Sequence, residues 1–579
     1  MLNNKVSKAV RLAIAFSAAS TAAFSASSLA AEAGADKVER IEVTGSRIKR
    51  TDLEGASPVN IITSADMKVE GNFTVADALR GSSFNSFGSF SERSGSSAQS
   101  QATINLRGAG SSRTLVLLDG KRMPGSPTLG GQSANLNSIP MAAVERIEIL
   151  TDGASSTYGS DAMAGVVNII MKKNYEGLQF QAEAGHREQD EGTTNTGFSV
   201  TAGYSTDKGN VTIAFDHQKR EGIADRDRSY TAPQLIDRDG DGTIQAYDET
   251  VGWSWYGATV LSPDYSEAQA SPICADQAAK YGDDAFKEIA ADTDYAPGSN
   301  YCMYAHANVS YNKASIDRNT VYIDSNYELS DSVEWYGRAM FVQNSSFGRY
   351  APAAAQWASL SADNPVNPYG EDGALGLWRW ADLGTRDGNV DDYSQDYLTG
   401  LRGDLDWNNA TWDIYFHTNK ADNKSVGTYY LSYGGLAHNE ANDIPLTSDV
   451  GVANMKATTL QNSSSTFNQI NAGFGFDLFE LPGGDVAHYF GAEYLEQTYA
   501  DIYDGQSEAG LIGGSAGNSA RGERDITAFF YEAALPVSDT VEVNLAVRYD
   551  DYSDFGDNLA PKASIRWQAT DTVVVRASY

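Results

Sequence analysis

Val144-Glu145-Arg146-Ile147-Glu148-Ile149-Leu150 runs, after Thr151, into Asp152-Gly153-Ala154-Ser155-Ser156-Thr157-Tyr158-Gly159-Ser160-Asp161-Ala162-Met163-Ala164-Gly165-Val166-Val167-Asn168-Ile169-Ile170-Met171. The first seven residues alternate strictly, the period of a strand with one buried face. In the second run Gly159 and Gly165 suit tight turns and close backbone approach. Upstream, Thr114-Leu115-Val116-Leu117-Leu118-Asp119-Gly120-Lys121-Arg122 reads as a buried strand ending in an Asp-Gly turn. Ile104-Asn105-Leu106-Arg107-Gly108 and Pro58-Val59-Asn60-Ile61-Ile62-Thr63 read as further strands. Ser64 is placed to cap one short helix, and Thr74 a second over Val75–Arg80. Earlier still, Ile41-Glu42-Val43-Thr44-Gly45-Ser46-Arg47-Ile48 alternates, with Ile41 and Val43 on one side of an extended segment. A partner can read such a segment by adding it to a sheet edge.

These blocks, in this order, resemble the plug of TonB-dependent outer-membrane transporters. The family pattern has an extended TonB box, a strand of the type I-x-L-R-G, a strand ending V-L-x-D-G-x-R, and the long run that starts at Glu145. The resemblance implies a globular α+β plug, residues 50–174, seated inside an antiparallel transmembrane β-barrel. It also implies that Ile41 to Ile48 is the TonB box, pulled by an inner-membrane energy-transducing complex. Arg107 and Arg122 are candidates to pair with carboxylates of the barrel wall; the alternative is ordinary solvated arginines.

The first thirty residues read as an export signal. Lys5, Lys8 and Arg11 precede the apolar stretch Leu12–Ala19, and Ser28-Leu29-Ala30 fits the small-x-small cleavage rule. Residues 31–49 then form a periplasmic segment holding the box, with no room for an additional N-terminal signalling domain.

From 175 to 579 the grammar changes. Leu178, Phe180, Ala182 and Ala184 alternate with Gln179, Gln181 and Glu183, apolar to lipid and polar to a lumen. The pattern returns at Val211/Ile213/Phe215, Val321/Ile323 and Val541/Val543/Leu545/Val547/Tyr549. Short turns at 205–210, 329–333, 407–410, 482–485, 537–540 and 569–572 alternate with long polar segments near 221–318, 344–395, 421–465 and 501–522. Short inner turns and long outer loops are the barrel signature. The reading gives about thirteen strands of the roughly 22 expected for such transporters, so the barrel is expected to be incomplete in this chain. No repeating blade signature supports a soluble propeller instead.

Composition narrows the function. Asp+Glu at 76 against Lys+Arg at 43 excludes a nucleic-acid partner, which needs a basic surface. A mean hydropathy of −0.38 argues against membrane-spanning helices but not against strands. No nucleophile elbow or metalloprotease helix points to an enzyme.

The segment near 221–318 holds three further candidates. Asp237-Arg238-Asp239-Gly240-Asp241-Gly242-Thr243-Ile244-Gln245-Ala246-Tyr247-Asp248 follows the twelve-residue calcium-loop pattern. Asp237, Asp239, Asp241 and Asp248 would give side-chain oxygens, Thr243 its carbonyl, and Gln245 an oxygen directly or through water. Asp in place of Glu at the twelfth position weakens the pattern, and a solvated acidic loop is the alternative. Cys274 and Cys302 suit a disulfide worth ~3 kcal/mol to the loop, with two free thiols the alternative. Trp253, Trp255, Tyr256, Trp357, Trp378 and Trp380 suit stacking on a ligand, and equally an interfacial aromatic girdle. The expected function is TonB-dependent uptake of a scarce nutrient across the bacterial outer membrane, with no cofactor for transport beyond a structural calcium. The substrate classes open are ferric siderophore, cobalamin, oligosaccharide and peptide, with the acidic, aromatic loops favouring the last two. The alternatives are a surface binding or signalling receptor without transport, and a truncated product without function.

Overall fold

The computed structural model describes residues 41–42, 44–50, 57–85, 87–186, 194–291, 299–515 and 517–579. The expected export signal, residues 1–30, lies outside them, and plug and wall both belong to the unit Glu42–Tyr579.

The plug is built on five strands. β1 (Val59–Thr63) pairs antiparallel with β4 (Val144–Leu150), β4 antiparallel with β5 (Gly165–Met171), β5 parallel with β2 (Thr114–Leu118), and β2 hairpins with β3 (Lys121–Arg122). The hairpin turns on Asp119 and Gly120 at φ 52° and 75°, the pair of positive φ values that a two-residue turn requires. Two helices follow β1: α1 (Ser64–Val69) and α2 (Val75–Gly81). Thr74 caps α2 as expected, its hydroxyl accepting from Asp77 N while the Asp77 carboxylate accepts from Thr74 N. The cap of α1 is Thr63 instead of Ser64, because Asp66 completes the same reciprocal pair with Thr63. Ile104–Gly108 is not a strand. Leu106 makes a single bridge to Asn85, and Arg107 and Gly108 at φ 55° and 70° turn the chain before a ladder can form.

The wall is one antiparallel sheet. Thirteen strands follow one another among the described residues: β6 (Gly177–His186), β7 (Thr194–Thr206), β8 (Gly209–Arg220), β9 (Ser315–Ser330), β10 (Val333–Tyr350), β11 (Arg386–Asp404), β12 (Thr411–Ser432), β13 (Lys456–Leu481), β14 (Gly484–Tyr503), β15 (Ala520–Ser538), β16 (Val541–Tyr552), β17 (Gly556–Thr570) and β18 (Val573–Ser578). All six short turns fall where the sequence puts them. The outer segments are shorter than expected, because the strands run on. β13 has 26 residues, where about 9–11 cross a bilayer. Leu178, Phe180, Phe416, Phe490 and Phe529 are exposed on the outer face, while Thr212, Ala214, Asp216 and Gln218 are buried against the plug. Ala214, Tyr322, Met340 and Val342 of the wall join the plug's own core, so plug and wall pack as one interior. Among the described residues β6 and β18 are the two ends of the sheet and do not pair with each other.

Three outer segments knit into a cap. Ala258–Leu261 pairs with Ala268–Ala270 from its own segment and with Ala374–Arg379 from the next, which in turn pairs with Ala354–Leu360. The helices Tyr433–Ala441 and Asp449–Met455 of the third segment add Leu436 and Met455 to the same core.

Candidate functional site

The segment Thr44–Ile48 reaches the seam between plug and wall. Thr44 Oγ1 donates to Glu148 Oε2 at 2.6 Å and accepts from Asn168 Nδ2 at 2.9 Å. Gly45 N donates to the Tyr158 hydroxyl at 3.2 Å. Ser46 Oγ and Arg47 N both donate to Glu532 Oε2 of β15, each at 2.9 Å. The Arg47 guanidinium lies 4.9 Å from the centre of the Tyr158 ring, close enough for a cation–π contact. Thus Glu148, Tyr158 and Asn168, all from the long run that starts at β4, build the seat. Of the predicted box, Ile41 and Glu42 are extended and Val43 lies outside the described residues. Thr44, Arg47 and Ile48 are buried, with Gly45 and Ser46 half-buried between them. This half is a turn instead of the expected continuous strand, since Gly45 takes φ +102° and the two glutamates hold the backbone on either side.

Charge crosses the seam elsewhere than expected. Arg107 is exposed and folds back over the plug, donating to the carbonyls of Ala164 at 3.1 Å and Met163 at 3.4 Å just before β5. Arg122 pairs with Asp161 of the plug itself. The neighbouring Lys121 is the one bonded to a wall carboxylate, 3.0 Å from Asp413 Oδ2 and 4.1 Å from the centre of the Tyr415 ring, while Arg122 acts on the wall's Glu493 through space. From the other side, three buried wall arginines face the plug. Arg318 donates to the Asn137 carbonyl at 2.6 Å and Arg338 to the Leu118 carbonyl at 3.1 Å. Arg548 pairs with Glu493 at 3.0 Å and Asp550 at 2.8 Å. Gly159 passes between the two guanidiniums, where a Cβ would make ordinary contacts at 3.4 Å to Arg548 Nε and 3.6 Å to Arg122 Nη2; its φ of +97° is what favours glycine there. Near the outer end, Glu92 of the plug lies 3.4 Å from Arg220. Burial pushes the Glu92 carboxyl up, but Arg220, Lys313 and the Asn137 amide outweigh it and hold it at about 2. A carboxyl depressed in the fold stabilises it above the unfolded value, near 4.3. That contribution fades as pH falls towards about 2.

Residues 51–166 match the TonB-dependent receptor plug domain, and residues 334–579 match the TonB-dependent receptor-like β-barrel. The chain belongs to the TonB-dependent receptor family. It is therefore an outer-membrane receptor protein and not an enzyme. Among solved structures it is similar to the ferric enterobactin receptor PfeA of Pseudomonas aeruginosa in complex with BCV-L6, at 16% identity and a TM-score of 0.51, over 90% of this chain and 62% of that one. The siderophore receptor PirA of Pseudomonas aeruginosa is 15% identical with a TM-score of 0.50, over 91% and 62%. FpvAI, in its complex with pyocin S2, is 11% identical with a TM-score of 0.53, over 92% and 56%. These likenesses concern the fold. The chain spans 56–62% of the length of these proteins.

In this TonB-dependent receptor the outer candidates divide. The carboxylates of Asp237, Asp239 and Glu249 come within 4.8 Å of one another. Glu249 replaces Asp248 in the expected set, because its two oxygens accept from Arg238 N at 2.6 Å and Gln245 N at 2.8 Å while Asp248 points outward. Asp241 and Thr243 stay in the loop as neighbours, Thr243 N donating to Asp241 Oδ1. Cys274 and Cys302 are disulfide-bonded within the cap. Trp357, Trp378 and Trp380 are buried there, with ring centres 5.3 and 5.5 Å apart around Trp357, so they form a core instead of a ligand surface. Trp253 packs beside a second small core, Tyr256 is half-buried, and Trp255 is the member of the set left exposed. For Trp357, Trp378 and Trp380 neither expectation holds, ligand stacking or an interfacial girdle, because a polar segment carries no local sign of an interior shared with another segment.

Proposed function

We propose that this chain is the plug-bearing part of an active importer, worked by pulling on the segment that contains Ile41 to Ile48. The observation that carries the reading is the seat of Thr44–Ile48. It is bonded at once to the plug through Glu148 and to the wall through Glu532, so tension on it loads both. The partner is an inner-membrane TonB complex that takes the segment by strand addition. The proposed parent protein closes its wall with strands beyond the thirteen described here. Val43→Pro is expected to abolish uptake while leaving membrane insertion intact, since proline removes an N–H that strand addition needs. Undiminished uptake by that variant sinks the reading. The intact mass of the protein extracted from outer membranes is the companion measurement. A value well above 62.2 kDa supports a longer wall, and one at or slightly below it refutes that part.

The aromatic case for a sugar or peptide substrate falls with the burial of Trp357, Trp378 and Trp380. Two of the similar receptors are named for siderophores, so ferric siderophores are the first class to screen, by growth under iron starvation against growth on single carbon sources. The same proposal includes a structural calcium at Asp237, Asp239 and Glu249, an all-oxygen set that suits a hard cation. Asp239→Asn is expected to reduce the heat of Ca²⁺ binding to the native protein; an unchanged isotherm counts against it.

A further inference from the structure

Four oxygens where the plug meets the wall are buried without a hydrogen-bond donor: Gln101 Oε1 of the plug, and Asn344 Oδ1, Asp392 Oδ2 and Asn423 Oδ1 of the wall. Gln101 and Asn344 are each 1% exposed and Asn423 3%. The three wall residues stand abreast. Asn344 on β10 is opposite Asp392 on β11, and Asp392 is opposite Asn423 on β12. Gln101, Asn344 and Asp392 line one cavity of about 50 Å³.

Turning the amides over does not relieve them. Gln101 Nε2 and Asn423 Nδ2 both donate to Asp392 Oδ1, at 3.1 and 2.5 Å, and Asn344 Nδ2 donates to the Ser100 carbonyl at 3.0 Å. A flip at any of the three sets oxygen against oxygen. Arg338, which also lines the cavity, spends its two terminal nitrogens on Asp396 and the Leu118 carbonyl and leaves only Nε without an acceptor, one donor against four oxygens. One water donates only two hydrogens, so satisfying these acceptors with water alone takes at least two ordered molecules. A cation serves several oxygens at once. The set has one carboxylate and three amide oxygens, with no sulfur and no imidazole, which is the chemistry of a hard ion.

We propose that this patch binds a divalent cation of the calcium type, which pins the Ser100–Gln101 stretch of the plug to strands β10–β12. The inference rests on the plug–wall geometry and not on the transport reading. It is also separate from the outer loop at Asp237.

The test uses the native protein from outer membranes, stripped with a chelator and dialysed against radioactive Ca²⁺. All proteins carry Asp237→Asn and Asp239→Asn, which take two of the three carboxylates from the outer loop. In that background one class of bound Ca²⁺ is expected to remain and to disappear on adding Asp392→Asn. Asn423→Asp, which adds a carboxylate without changing shape, is expected to tighten binding by about tenfold, since ligand charge tunes such sites. Heat-modified gel migration checks that each variant is folded. Ca²⁺ binding unchanged by Asp392→Asn and by Asn423→Asp overturns the proposal and leaves these oxygens to water.

Discussion

Arg548→Met is expected to destabilise the folded protein by about 3–5 kcal/mol, the usual result of stripping one partner from a buried ion network. Arg548 is 2% exposed and holds two buried carboxylates, Glu493 and Asp550. Methionine fills much of the space but leaves both carboxylates inside with one fewer cation. Glu493 keeps only amide donors, from Gln469 at 3.0 Å and Asn471 at 3.2 Å. The effect appears as a lower temperature for loss of heat-modified gel migration in detergent. Adding Glu493→Gln to Arg548→Met should restore part of the loss, because the amide no longer buries a charge. Arg548→Lys should fall between, keeping the charge but not the forked geometry. A melting temperature for Arg548→Met equal to that of the unsubstituted protein refutes the account.

Trp357→Ala is the second large effect, about 3–5 kcal/mol confined to the cap. The indole stands edge-on to Trp378 at 5.3 Å, lies 5.5 Å from Trp380, and donates to Glu440 Oε1 at 2.6 Å. Trp357 belongs to the second outer segment, the disulfide to the first and Glu440 to the third, so one truncation loosens all three. Limited proteolysis of the protein in intact membranes is expected to show new cuts in residues 221–314 and 433–455 with the wall untouched. New cuts only within 351–385 would mean that the three segments do not share a core.

The plug was legible because its signals are local. The Asp119-Gly120 turn, the strand Val144–Leu150 and the Thr74 cap each follow from a few adjacent residues, although that strand is buried on both faces from Ile147 onward and does not alternate in burial. Ile104–Gly108 misled because an apolar, alternating five-residue run looks like a strand whether or not a neighbour lies alongside. The wall strands were legible through their alternation across the bilayer. Their ends were not, since beyond the lipid both faces meet water or protein and the apolar–polar contrast vanishes. Choosing between Arg122 and Lys121 as the cation that meets the wall needed the hairpin's orientation, which sequence does not carry. Glu249 was missed for a similar reason. The spacing pattern counts to twelve, whereas this loop closes one residue later, where both Glu249 oxygens can take backbone N–H groups.

The cap draws its sheet from two outer segments and its core from three, and those segments are separated in the chain by wall strands β9–β12. Its disulfide and its hairpins form within single segments, but the pairing of Ala258–Leu261 with Ala374–Arg379 cannot. Loop closure over such distances is costly until the intervening strands have paired. Assembly therefore has a fixed order, with the wall preceding the lid that crosses it. The ordinary freedom of surface loops to lengthen or shorten one at a time is lost here, because a residue inserted in one segment must be answered by a change in its two companions.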